Sequence, residues 1–334
     1  MLRRRGLVLL LFFASGASGL VYELVWVRQF GTLFGSSVYS AAVVTAIYMC
    51  GLGLGAAFAG RWIDRRFLAD PVSPLRWYSW FELGIGVLAA AAVILVPLLA
   101  PIAAAASSYE VGAHGWYWLA AGGSLVRYGL AALLLLPITL LMGGTLTLLI
   151  RYVVADDVSN AGWHVGVLYG VNTAGAALGC IVTDTALVPL LGIRATQAIA
   201  VGLNGFAALG AWWLARRAAG VAVEPRASSQ ADRAVGGGVT SVAIALALTG
   251  FATMAMQIVW FRQLISMFAA FRPVFSILLT VILAGIWLGS LLGGRLVRRA
   301  PPGALYAVAL AGFAFFALAG LAGMQHGAST YGVL

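Results

Sequence analysis

The sequence predicts an all-α protein that crosses a lipid bilayer many times, and three observations support this prediction. Hydrophobic residues make up 62% of the chain and charged residues only 9%, which is far from the composition of soluble proteins. Several apolar runs exceed about 20 residues, the length that a helix needs to cross a hydrocarbon core of about 30 Å. One long segment also occurs twice. Together these features favour a polytopic bundle of transmembrane helices.

The repeated segment covers residues 15–66 and returns 234 positions later without a gap. Matches between leucines or glycines are common in an apolar chain, so the tryptophan and arginine matches are the informative ones. The matched positions include Trp26 with Trp260, Arg28 with Arg262, and Glu23 with Gln257. A parallel internal repeat of hydrophobic hairpins is typical of secondary transporters.

Each apolar run is interpreted as one membrane helix. The first run follows a basic start at residues 3–5 and lacks a small-x-small cleavage site, so we expect a retained helix rather than a signal peptide. The expected helices cover residues 7–27, 37–60, 77–105, 117–150, 164–190, 195–215, 239–261, 272–295 and 303–323.

Residues 216–238 form the only extended polar stretch of the sequence. Their serines, glycines and arginines predict a flexible cytoplasmic linker between two membrane units. The first unit, residues 1–215, contains six expected helices, and the second, residues 239–334, contains three. Because this count leaves the second unit incomplete, we expect either a piece of a longer protein or a split or frameshifted gene.

Arginine determines the expected orientation, because basic residues concentrate on the cytoplasmic side of a membrane protein. With a cytoplasmic N-terminus, fifteen arginines fall on the inner side and four on the outer side. We therefore expect a multi-pass protein of the plasma (inner) membrane with its N-terminus in the cytoplasm. The net charge of +10 then reflects orientation and attraction to anionic lipid rather than nucleic-acid binding. The four outer arginines are Arg28, Arg194, Arg262 and Arg272.

No cofactor or metal site is expected from the sequence. The chain has no lysine, which excludes a Schiff-base lysine and a P-loop. His114, His164 and His326 are far apart in the expected topology. Cys50 and Cys180 both fall inside apolar segments, where they are expected to be small packing residues.

Charged side chains inside the expected helices are the candidate functional residues, because a charge within the membrane needs a partner or a wet cavity. At about 1.5 Å per residue, Glu23 and Asp184 have a similar height in the outer third, and Arg127 is close to the midplane. We expect these three to converge on one cavity between the first, fourth and fifth helices, together with Tyr22 and Asn172. Two hypotheses stay open: a site for a substrate or proton, or a buried Glu23–Arg127 pair that fixes the packing.

The end of the second helix resembles the loop signature of the major facilitator superfamily. Residues 60–66 read Gly-Arg-x-x-Asp-Arg-Arg after a Gly-x-x-x-Gly pair, and in that superfamily the acidic and basic residues latch the helix ends. The resemblance implies a major-facilitator-like bundle and a latch of Arg61, Asp64 and Arg65 on the cytoplasmic turn. In the second copy Arg298 stands at the position of Asp64.

Three blocks resemble the membrane-embedded spermidine synthase-like proteins. They are Ser15-Gly16-x-x-Gly19-Leu20-x-Tyr22-Glu23-x-x-Trp26-x-Arg28, Leu136-Pro137-Ile138-Thr139-Leu140-Leu141-Met142-Gly143-Gly144-Thr145-Leu146, and Val165-Gly166-x-Leu168-Tyr169-Gly170-Val171-Asn172-Thr173-x-Gly175. Such proteins are often described as a major-facilitator-like membrane region fused to a soluble spermidine synthase domain, which transfers an aminopropyl group from decarboxylated S-adenosylmethionine to a diamine. The glycine-rich loop and acidic substrate residues of that domain do not occur in these 334 residues.

The resemblance implies two alternative functions. The first is a transporter-like membrane module that handles a polyamine or a related small cation near Glu23 and Asp184. The second is the membrane anchor of an aminopropyltransferase, whose soluble catalytic domain is fused to it or encoded separately. The lipid bilayer is the partner expected in both cases.

Overall fold

The computed structural model describes residues 2–35, 37–67, 70–105, 109–111, 117–154, 160–218, 239–268 and 273–330. These residues form α-helices apart from one short β-hairpin and one π-helical segment. The helices are α1 (Leu2–Phe34), α2 (Ser37–Phe67), α3 (Ser73–Ala105), α4 (Ala121–Val154), α5 (Ala161–Val182), α6 (Val188–Ala218), α7 (Val239–Phe268), α8 (Val274–Leu296) and α9 (Pro302–Thr330). Strands β1 (Tyr109–Val111) and β2 (Tyr117–Leu119) pair antiparallel, and the π-helical segment covers Thr183–Leu187.

Eight stretches of the described residues are long and apolar enough to cross a membrane, which confirms a multi-pass membrane protein. One of them, Ala161–Ala218, has 58 residues and would extend about 87 Å as a straight helix. It bends instead at Gly192, whose backbone φ of 78° is readily adopted only by glycine. The bend separates two arms, as the sequence predicts with its helices at 164–190 and 195–215.

Helix α1 lies at the centre of the bundle and contributes to both of its apolar cores. Tyr22, Val25 and Trp26 are fully buried among side chains of α2 to α8. Nearer its N-terminus, Leu11 and Phe12 belong to a second core with α2, α3, α4, α5 and α6. A helix that is apolar on every side and surrounded by other helices is the usual core element of a large bundle.

Glycines allow neighbouring helices to approach closely at several crossings. On α2, a Cβ atom added at Gly51 would overlap Thr139, and one added at Gly55 would overlap the backbone of Leu140 on α4. Small residues of this kind let helix backbones touch in a membrane, where no hydrophobic effect drives helices together. Glycines also allow close approach at the α1–α5 crossing, where Gly175 and Gly179 lie against the backbones of Phe13 and Ala17.

Contacts between helix ends define what we call the arginine-rich end, where α1, α3 and α5 begin and α2, α4 and α6 end. Asp64 at the end of α2 pairs with Arg151 at the end of α4, with Nε and Oδ1 3.3 Å apart. The guanidinium group of Arg295, at the end of α8, lies over the ring of Trp163 at the start of α5. These contacts place the joined helix ends at one level.

Several expected helix boundaries are wrong, and local contacts explain the differences. Helix α1 continues beyond residue 27 to Phe34 and ends at Gly35, whose φ is 74°. Helix α2 continues to Phe67, so residues 61–66 lie in its last turns rather than in a loop. The buried side chain of Ile63 extends the packing surface of these turns. Helix α4 starts at Ala121 instead of 117, because residues 117–119 form a strand that pairs with β1.

The second unit packs against the first through α5 and α8. A Cβ atom at Gly166 would come within 3.0 Å of the carbonyl oxygen of Ser290, and the Cys180 thiol donates a 3.3 Å hydrogen bond to the carbonyl oxygen of Ser276. Linker residues 219–238 lie outside the described residues. The unit boundaries at 215 and 239 and the correspondence between the repeated hairpins stay predictions.

The close α2–α4 crossing can be tested with a matched pair of glycine variants. Gly55→Ala should lower the melting temperature in detergent, because overpacking a tight contact costs about 1–3 kcal/mol. Gly53→Ala, on the same helix with open space around its Cβ position, should be neutral or slightly stabilising, since alanine favours a helix by about 1 kcal/mol over glycine. Equal melting temperatures for the two variants would contradict the observed crossing.

Candidate functional site

A buried carboxylate on α3 forms the centre of a hydrogen-bond network in the bundle interior. Glu82 is completely buried. The Ser15 hydroxyl donates to its Oε1 at 2.5 Å, and the Asn204 amide donates to its Oε2 at 2.6 Å. Both carboxylate oxygens therefore have neutral donors, and these come from two different helices, α1 and α6.

The network continues to Tyr22, a residue that the sequence places in the candidate site. Its hydroxyl donates to Asn204 Oδ1 at 2.8 Å, while its ring stacks on that of Trp26 with centroids 5.4 Å apart. Ser15, Glu82, Asn204 and Tyr22 thus form one connected chain of side chains. We call these four residues the Glu82 network.

Glu23 follows Tyr22 in sequence but points to a different neighbour. Its side chain is 1% exposed, and Thr45 on α2 donates a hydrogen bond to its Oε1 at 3.2 Å. The Tyr48 hydroxyl lies against Gly19, one turn below Glu23 on α1. Among the described residues, no arginine or histidine forms an ion pair with Glu23.

Asp184 lies in the π-helical segment and pairs with Arg28. The Arg28 Nη2 and Asp184 Oδ1 atoms are 2.6 Å apart, and the Asp184 side chain is 2% exposed. π-Helical turns inside longer helices are rare and occur frequently at functional sites. The Arg28 side chain is itself 23% exposed, so it joins a buried acid to the outer interface at which the sequence places it.

Among the described residues no ion pair joins Glu23 to Arg127, which lies at a different height. The next residue, Tyr128, packs edge-on against Phe34 with ring centroids 5.6 Å apart. Phe34 ends α1, about 16 Å beyond Glu23 at about 1.5 Å per residue. The later start of α4 moves Arg127 towards this end of the bundle and away from the midplane.

Asn172 also lies apart from Glu23. It faces Gly16 at the α1–α5 crossing, where an added Cβ would overlap its backbone oxygen, and this is about two turns of α1 from Glu23. The five predicted site residues are therefore divided between the Glu82 network, the Glu23–Thr45 contact, the Arg28–Asp184 pair, the α4 start and a helix crossing. Each has its own contacts among the described residues.

The predicted latch residues lie on α2, and the partner of Asp64 comes from another helix. Asp64 pairs with Arg151 of α4, so the contact joins the ends of α2 and α4. Arg61 and Arg65 are both exposed, and Arg65 lines a cavity beside the start of α3.

The repeat counterparts have different surroundings in the two units. Trp26 is completely buried and Trp260 is partly buried, while Arg262 is exposed, in contrast to Arg28 with its ion pair. Gln257, the counterpart of Glu23, is 3% exposed, and its Nε2 atom has no hydrogen-bond partner among the described residues. A polar group is therefore buried at this position in both units.

Sequence reasoning missed the central role of Glu82. The expected helix start at 77 placed it about one turn inside the membrane, but α3 begins at Ser73, which puts Glu82 about 14 Å from the helix start. The signal available in the sequence was a lone carboxylate within an apolar helix, together with an amide, Asn204, in another. Their pairing depends on which faces of α3 and α6 meet.

No family model, curated protein or solved structure matches this chain. The resemblance to the spermidine synthase-like proteins is therefore carried by the sequence motifs alone.

The geometry of the Glu82 network predicts a rescue by exchange of its two central groups. Glu82→Gln should destabilise the protein by about 1–3 kcal/mol, because its NH2 group cannot accept the hydrogen bond that Ser15 or Asn204 donates to the carboxylate. Adding Asn204→Asp supplies a carboxylate that accepts both from this amide and from the Tyr22 hydroxyl. The double variant should recover most of the melting temperature lost in Glu82→Gln, whereas additive losses would contradict the network.

Proposed function

We propose that the chain is a transporter-like membrane module whose buried acidic side chains bind a small cationic solute or a proton. The observation that supports this proposal is the burial of Glu23 and Glu82 within membrane helices without an ion-pair partner among the described residues. Ionisable groups inside a membrane are costly and usually mark ion or substrate pathways.

The chemistry of the two acids favours a positively charged ligand. A carboxylate surrounded by hydroxyl and amide donors can exchange such a donor for a cationic amine or retain a proton. An arginine partner would occupy the acid permanently, as Arg28 does for Asp184. Glu23 and Glu82 are therefore better candidates for cation binding than Asp184.

The polar groups are distributed along α1 over much of the membrane depth. Ser15 contacts Glu82, Tyr22 contacts Asn204, and Arg28 pairs with Asp184. The distance from Ser15 to Arg28 along the helix is about 20 Å, compared with a hydrocarbon core of about 30 Å. A series of polar groups at different depths supports a route through the bundle.

The motif resemblances extend this proposal to architecture and solute. The repeated hairpins support a major-facilitator-like arrangement with a parallel internal repeat, and the distribution of arginines supports a cytoplasmic N-terminus. The resemblance to spermidine synthase-like proteins favours polyamine-like cations as the solute. The Asp64–Arg151 pair supports a latch that joins the ends of α2 and α4.

The proposal predicts cation uptake that requires Glu23. Purified protein would be reconstituted into liposomes, and uptake of labelled putrescine and spermidine would be followed together with internal pH. Glu23→Gln should reduce uptake to the level of empty liposomes while nearly preserving the melting temperature, because glutamine retains the oxygen that accepts from Thr45.

Thr45→Val is the matched control, because it removes the hydroxyl but retains the carboxylate at position 23. This variant should keep measurable uptake. Wild-type uptake by Glu23→Gln would contradict the proposed role of this residue. Wild-type protein that moves neither polyamines nor protons would contradict transport and favour the membrane-anchor alternative.

A further inference from the structure

A cleft at the arginine-rich end is separate from the buried acids and has its own chemistry. It lies between the last turn of α2 and the first turns of α3 and has a volume of about 440 Å³. Arg65 and Arg66 line it from α2, while Ser73, Trp77 and Trp80 line it from α3. We call it the α2–α3 cleft.

Arginines outnumber acidic residues among the side chains that line the cleft. Arg76 and Asp70, which also line it, form an ion pair with each other. Arg65 and Arg66 have no carboxylate partner among the described residues. Two guanidinium groups are therefore available to an anion, and arginine matches the geometry of phosphate oxygens especially well.

Aromatic rings hold one of these arginines in place. The guanidinium carbon of Arg66 lies 4.5 Å from the ring centroid of Trp62 and 5.3 Å from that of Trp77. Such stacking occupies the face of the guanidinium plane, while its N–H groups point outward from the edges. The arginine is thus positioned before any ligand binds.

A buried hydroxyl in the cleft has an unused hydrogen-bonding capacity. Ser73 is 5% exposed, and its Oγ atom has no hydrogen-bond partner among the described residues. Leaving such a group unsatisfied in a folded protein is costly. An anion in the cleft would accept a hydrogen bond from Ser73 after a rotation of its side chain, because the Oγ atom is covered in the unliganded protein. Ser73 is the first residue of α3, where the Asp70 carboxylate already accepts a 3.0 Å hydrogen bond from the Val72 N–H.

We propose that the α2–α3 cleft binds a phosphate group, using the guanidinium groups of Arg65 and Arg66 and the hydroxyl of Ser73. Trp80, 61% exposed beside the cleft, is typical of residues at the level of lipid headgroups. Basic pockets between membrane helices bind phospholipid headgroups in this way. The same donors would accept a free phosphate, so the experiment must distinguish the two sources.

The test measures binding to the full-length protein in an uncharged detergent. Short-chain phosphatidylglycerol, inorganic phosphate and short-chain diacylglycerol would each be titrated, with thermal stability and native mass spectrometry as readouts. Saturable stabilisation by phosphatidylglycerol but not by phosphate identifies a lipid headgroup, and stabilisation by both identifies a site for the phosphate group itself. Diacylglycerol lacks the phosphate and should have no specific effect.

Two variants and a matched control connect this binding to the cleft. Ser73→Ala should keep the stability of the unliganded protein and weaken binding about tenfold or more, as expected for a lost hydrogen bond to a charged group. The double variant Arg65→Gln with Arg66→Gln should abolish it. Arg216→Gln with Arg217→Gln removes the same charge from α6, where each arginine also stacks on a tryptophan, and should leave binding intact.

Three results would overturn the proposal. The first is the absence of saturable binding of phosphatidylglycerol and of phosphate to the wild-type protein. The second is an equal loss of binding in the two double-arginine variants, which would show a general effect of charge. The third is wild-type affinity in Ser73→Ala, and this variant decides the question even where the Arg65 and Arg66 substitutions prevent folding.

Discussion

The structure depends on the partners that other helices provide for four polar side chains of α1, namely Ser15, Tyr22, Glu23 and Arg28. Lipid offers no hydrogen bonds, so each of these groups must find a partner on another helix. The partner of Ser15 lies on α3 and that of Tyr22 on α6. The partner of Glu23 lies on α2 and that of Arg28 in the π-helical segment. Glycines at the α1–α5 crossing and elsewhere then allow the backbones to approach closely enough for these short side-chain contacts.

Acidic side chains have different partners in the interior of the bundle and at the arginine-rich end. At that end, Asp64 is paired with Arg151, and several arginines stack on tryptophan rings. In the interior, Glu23 and Glu82 have only neutral hydrogen-bond partners among the described residues. Replacing such acids with apolar side chains would remove the burial cost, and this is the reason why we propose that they bind a cation or a proton.

The sequence predicts the helices well, because a membrane span needs a long apolar run and Gly192 separates two such runs clearly. It also predicts correctly that Glu23 and Asp184 face the interior, since lipid exposure of either would be costly. The partners could not be predicted, because hydropathy gives approximate depth but not the direction in which a side chain points. The estimated depth of a residue is also wrong when the start of its helix is misplaced. The observed starts of α3 and α4 change the depths of Glu82 and Arg127 in this way.

The central claim, that the buried acids bind a cation, is tested most directly by carbodiimide protection. A hydrophobic carbodiimide reacts with carboxyl groups inside membrane proteins, and mass spectrometry of peptides reports its extent at Glu23 and Glu82 separately. The account predicts that a transported cation slows modification of at least one of these residues in proportion to its occupancy, while modification of Asp64 is unaffected. Unchanged modification of both acids at saturating concentrations of every cation taken up would contradict it.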